Sequence, residues 1–95
     1  MARQETKRDM VGTFEKDVER WLKKHGCIVK RTEFPTFFFI KEGFWGAIEC
    51  KATARSKFQP GQKEMVAKLD DWSWARVAYP NNWSKIKEEL DEILK

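Results

Sequence analysis

The chain has 95 residues, with 19 Lys+Arg against 15 Asp+Glu, a formal charge of +4. Hydrophobic residues make up 41% and aromatic ones 14%, too much apolar surface for a disordered chain and enough for only one core, so residues 1–95 are read as one domain. No apolar run approaches the roughly 18 residues of a membrane span, and the charged opening from Met1 to Asp9 does not read as a signal peptide. A soluble cytoplasmic protein without a membrane partner is expected. A domain this small buries a modest core, which points to a homodimer.

Residues 1–10 form a polar lead, expected to be flexible. From Gly12 to His25 the residues Phe14, Val18, Trp21 and Leu22 recur at i, i+4, i+7 and i+8, the pattern of an amphipathic helix that Gly26 ends. Glu15 sits on the border of its buried face. Residues 27–33 predict a strand, residues 36–40 after Pro35 a second, and residues 44–52 a third, with Lys41-Glu42-Gly43 as the hairpin turn. Period-2 geometry sets Trp45, Ala47, Glu49 and Lys51 on one face of the third strand, with Phe44, Gly46, Ile48 and Cys50 on the other. A polar loop from Thr53 to Gln59 leads through Pro60 to a helix with Gln62, Met65, Val66 and Leu69 on one face. Residues 74–79 predict a fourth strand stopped by Pro80. Asn82 is the N-cap of a last helix that turns Ile86, Leu90, Ile93 and Leu94 inward. The order α-β-β-β-α-β-α implies an α/β fold, a mixed sheet with helices packed over it.

Two isolated cysteines and a single histidine, His25, do not make a structural zinc site. Cys27 and Cys50 are read as reduced core residues, with their pairing as the alternative. The tryptophans read as core by default. Trp72, Trp74 and Trp83 gather around the fourth strand, where a dimer surface is the competing reading.

The chemistry concentrates on Glu49-Cys50-Lys51. An acid and a lysine two apart on a strand share a face, and at the border of a core each must meet a partner: the other, a metal or a phosphate. A plain ion pair satisfies that demand as well. Three neighbours shift the balance. Thr36, after Pro35, lies thirteen residues before Glu49, so a tight hairpin sets the two side by side. Gln62 belongs to the helix face that looks back at the sheet, and Glu15 to the edge of the first helix.

Gly12-x-x-Glu15, Pro35-Thr36-x12-Glu49-x-Lys51 and Gln62 together resemble the PD-(D/E)xK nuclease superfamily, most closely its Holliday-junction resolvase branch and the small VRR-NUC domains of phages. The likeness runs from Gly12 to about Tyr79. It implies a restriction-endonuclease-like core and metal-dependent hydrolysis of DNA, with four-way junctions as the expected substrate. It also implies a homodimer, and a phage-encoded protein acting in a bacterial host. In that reading Glu49 and the backbone carbonyl of Cys50 would ligate Mg2+ or Mn2+. Lys51 would position or deprotonate the attacking water. Gln62 would orient the water or a phosphate oxygen, and Glu15 would hold a second metal or its water. Lys30, Arg31, Arg55 and Lys57 flank the site and suit phosphate contacts, although for any single lysine a solvated surface position is the more ordinary reading.

Thr36 departs from the pattern, which has Asp at this position as a metal-bridging ligand. A neutral hydroxyl is a poor ligand for Mg2+. Three outcomes stay open: a metal held by Glu49, Glu15 and water with reduced activity; Glu33 reaching in; or an inactive site, by divergence or deliberate alteration. A non-catalytic DNA-binding module that keeps the fold is the rival reading, and a structural domain without nucleic acid the third.

Overall fold

A computed structural model describes residues 7–95. The elements are α1 (Lys7–Lys24), β1 (Ile28–Arg31), β2 (Phe37–Lys41), β3 (Phe44–Cys50), α2 (Gln62–Trp72), β4 (Ala75–Ala78) and α3 (Trp83–Ile93). The expected order holds, and the fold is α/β. The polar lead expected over residues 1–10 is corrected in part: Lys7 to Met10 form the first turn of α1, and residues 1–6 lie outside the described residues. No helix among the described residues is long and apolar enough to cross a membrane.

The four strands form one open sheet in the order β1-β2-β3-β4. β1, β2 and β3 pair antiparallel, and β4 joins β3 in parallel. The β2–β3 turn places both Glu42 (φ 46°) and Gly43 (φ 85°) in the left-handed region, the pairing whose twist suits a two-residue hairpin. Gly26 (φ 87°) ends α1 as expected. β1 is shorter than predicted because the chain bends after Arg31. There Thr32 N–H donates to the Thr36 carbonyl at 2.9 Å, and the Thr32 hydroxyl donates to the Pro35 carbonyl across a cis Phe34–Pro35 peptide. Asn82 precedes α3 without capping it through its side chain. That amide instead accepts from Tyr79 N–H at 2.8 Å and donates to the Val77 carbonyl at 2.9 Å, fastening the β4–α3 connection.

The sheet lies between two helical layers. On one side α1 and α3 bury Phe14, Val18, Leu22, Ile86 and Leu90 against Phe37, Phe39, Ile48, Cys50 and Ala78. Trp74 and Trp83 belong to this core at 5% and 8% exposure, so the sequence-level dimer surface shared by three tryptophans is corrected: only Trp72, 71% exposed, lies on the outside. Both cysteines are buried and free. On the other side α2, the one element found there among the described residues, packs Leu69 and Val66 onto Ala47, Ala75, Phe38 and Trp45. Met65, expected inside, is 49% exposed, because α2 lies over β3 and β4 and leaves its flank uncovered. Ile93 is likewise 38% exposed.

Gly46 is required by packing. A Cβ there would lie 2.5 Å from Phe39 Cζ and 3.1 Å from Trp74 Cε3, with no room for two rings to retreat. Gly46→Ala is expected to cost about 2–3 kcal/mol, read as a lower urea midpoint with an unchanged slope.

Candidate active site

The site begins where the β2–β3 ladder fails. Ala47 and Lys51 donate to the Trp74 and Ala78 carbonyls of the β4 side, so the intervening Ile48 and Cys50 turn their backbones toward β2. Two residues beyond the Phe37–Ile48 pair, the register sets Pro35 opposite Cys50. Proline has no N–H to give the Cys50 carbonyl, and its own carbonyl is taken by Thr32. The Cys50 N–H therefore turns to the Thr36 hydroxyl, at 3.0 Å. That leaves the Cys50 carbonyl without a ladder donor.

Thr36 connects this break to the acid. Its hydroxyl accepts from Cys50 N–H and donates to Glu49 Oε1 at 2.9 Å, while its backbone N–H donates to the same oxygen at 2.9 Å. Glu49 Oε2 lies 3.2 Å from Lys51 Nζ, and both side chains are largely buried, at 8% and 16% exposure. The Thr36 hydroxyl thus uses its donor and one of its two acceptor lone pairs, and a carboxylate that would be costly to bury alone has two donors and a cation. The hairpin juxtaposition of Thr36 and Glu49 expected from their spacing is present.

Lys51 is held on its other sides by the β3–α2 loop. Its ammonium donates to the Lys57 carbonyl at 3.3 Å and lies 4.6 Å from the centre of the Phe58 ring. Lys63 approaches the same ring at 5.5 Å. The loop owes its shape to its own hydroxyls: Thr53 N–H donates to Ser56 Oγ, and Arg55 N–H to Thr53 Oγ1. Sequence reasoning missed Phe58 and Lys63, since nothing in a lone loop aromatic seven residues past Lys51 announces that it will face that ammonium.

Beyond Cys50, on the α1 side of the sheet, an open cleft of about 640 Å³ is lined by Gly12, Glu15, Arg31, Lys51, Ser56 and Lys57 among others. Arg31 reaches across it and donates to Glu15 Oε2 from Nη1 and Nη2 at 2.7 and 2.5 Å. Burial pushes the Cys50 thiol far up from its ordinary pKa, and the Glu15 and Glu49 carboxylates on either side push it further, so it stays a protonated, unreactive thiol.

Other expected residues fall elsewhere. Gln62 Oε1 accepts from Gln59 N–H at 2.9 Å and so fastens the start of its own helix, with no hydrogen bond to Glu49 or Lys51. Arg55 lies with Lys57, Phe58 and Lys63 on a second groove along the loop. Lys30 and Arg31, adjacent on a strand, point to opposite faces; Arg31 lines the cleft and Lys30 does not. Glu33 is exposed in the bend before Phe34, with no hydrogen bond or ion pair to the site.

A divalent cation would find here, among the described residues, one buried carboxylate and a Cys50 carbonyl without a ladder donor, while Glu15 is committed to Arg31. Among the described residues no three His, Cys, Asp or Glu side chains converge. This donor set suits an ion such as Mg2+, which keeps several waters and is completed by a substrate phosphate, better than one caged by protein alone. Compared with family models, curated proteins and solved structures, the chain matches none.

Proposed function

We propose that the protein is a metal-dependent endonuclease of the PD-(D/E)xK type that hydrolyses DNA phosphodiester bonds, with branched DNA as its substrate and with activity lowered by Thr36. The supporting observation is the continuous Thr36–Glu49–Lys51 unit, joined to Cys50 at a ladder break and opening beside a cleft that carries Arg31 and Lys57. The restriction-endonuclease-like core is part of the same proposal.

Glu49 and the Cys50 carbonyl would hold Mg2+ or Mn2+. When bound, the ion supplies Lewis-acid polarisation of the scissile phosphate. Lys51, oriented by Glu49, the Lys57 carbonyl and the Phe58 ring, aims its ammonium at a phosphate oxygen or the attacking water, where a pre-positioned charge stabilises developing negative charge. Arg31, Arg55 and Lys57 make sequence-independent phosphate contacts. Gln62 spends one acceptor site on Gln59 N–H and makes no hydrogen bond to Glu49 or Lys51, so we give it the smaller role. Two cuts on a symmetric junction call for two copies of the chain.

A second reading, a DNA-binding module without catalysis, is favoured by one observation: the Thr36 hydroxyl occupies Glu49 Oε1, where a second carboxylate would otherwise share a metal. Labelled four-way junction, duplex and single-stranded DNA incubated with Mg2+, Mn2+ or EDTA distinguish the two. We expect metal-dependent cutting, strongest on the junction, that Glu49→Ala abolishes. Tight binding without cutting in either metal would establish the binding module instead, and no binding at low salt would reject both.

A further inference from the structure

Among the described residues one helix serves the α2 side of the four-stranded sheet, and it lies over β3 and β4. No other described element covers the remaining half of that face. Directly paired residues of antiparallel strands share a face, so the register sets Ile28, Ile40 and Trp45 in one row across the sheet, and Lys30, Phe38 and Ala47 in the next. Ile28 is 71% and Ile40 51% exposed, and beside them Met65 and Trp72 stand out from the flank of α2. Between the strands and that flank runs a groove of about 440 Å³, lined by Phe34, Pro35, Phe38, Met65, Leu69 and Trp72, with Glu64 and Lys68 at its mouth.

We propose that this half-face is the interface of a two-fold dimer of the chain. A two-fold interface must be self-complementary, each patch meeting its own counterpart. This one carries both halves of such a fit. Ile28 and Ile40 form a ridge and the groove a hollow, so a second copy seats its ridge in the first copy's groove and receives the first ridge in its own. The charges are also paired in kind: Lys30 stands in the apolar row, and Glu64 at the groove mouth meets the Lys30 of the other copy. The area is contiguous and apolar at its centre with charge at its rim, as in protein interfaces. A single-stranded nucleic acid would use the aromatic groove but would leave the Ile28–Ile40 row uncovered and would face Glu64. The inference does not depend on the nuclease reading, and its test contains no metal and needs no cleavage.

The full chain is to be followed by sedimentation equilibrium from about 1 to 200 µM at moderate salt without DNA, a range that brackets ordinary small-domain dimers. The expected result is a reversible dimer of the 11.3 kDa chain. Ile40→Glu and Trp72→Glu should each weaken it at least about 100-fold while leaving the far-ultraviolet circular dichroism unchanged. Should either fail to fold, Lys30→Glu gives the same information at an exposed position: it should weaken the dimer about tenfold, and Glu64→Lys added to it should restore the affinity. A monomer at every concentration overturns the proposal. So does a dimer indifferent to these substitutions, or a monomer whose Trp72→Glu variant loses affinity for single-stranded DNA.

Discussion

Thr36→Asp should raise Mg2+-dependent DNA cleavage at least about tenfold, because a second oxygen anion beside Glu49 improves binding of a hard divalent ion. The same substitution should lower stability in EDTA by about 2–3 kcal/mol. An aspartate can still accept from Cys50 N–H, but it cannot donate to Glu49 Oε1 as the threonine hydroxyl does. Two carboxylates then face each other in a largely buried site, with Lys51 as the one paired cation, which leaves a net charge of about −1. Mg2+ should restore the loss, since an ion that binds only the folded state stabilises it by mass action. In a domain of this size the swing corresponds to about 10–20 °C in melting temperature. An EDTA melting point equal to that of the unmodified chain, together with no gain in cleavage, would show that Thr36 does not face the metal position.

Lys51→Met should reduce cleavage by about a thousandfold, since it removes the charge aimed at the transition state and keeps the chain length. It also removes the cation from a buried carboxylate. Glu49 retains the Thr36 N–H and O–H, so the expected loss of about 2–3 kcal/mol is smaller than for a fully orphaned charge. The cycle closes with Glu49→Gln: in the double variant the amide no longer needs a counter-ion, so stability should recover by more than 1 kcal/mol relative to Lys51→Met alone, while cleavage stays absent. Additive losses in urea titrations would mean that the 3.2 Å ion pair contributes nothing to the folded state.

Much of this site was legible in one dimension. The thirteen-residue separation of Thr36 and Glu49 around a hairpin glycine makes them neighbours for any tight turn, and period-2 alternation puts Glu49 and Lys51 on one face. Gln62 shows where such reasoning stops. Helical period puts it on the face of Val66 and Leu69, but a glutamine at the first position of a helix can turn to the backbone just before it, and the Gln59 N–H claimed it. Lys30 was grouped with Arg31 by proximity in sequence, yet one step along a strand reverses the face.

Length, composition and charge marked one small, mildly basic domain, and its hydrophobic periods set the order of helices and strands, because local geometry alone makes 3.6- and 2-residue patterns bury one side. What they could not decide is the balance of cover over the sheet. Whether α2 shields two strands or four depends on where a loop of irregular backbone releases it, and that in turn on long-range packing of Leu69 and Val66. The Ile28–Ile40 row that no other described element covers and the Cys50 carbonyl without a ladder donor opposite Pro35 both arise from residues far apart in sequence. Each is a consequence of register and layer packing, and so belongs to the tertiary structure alone.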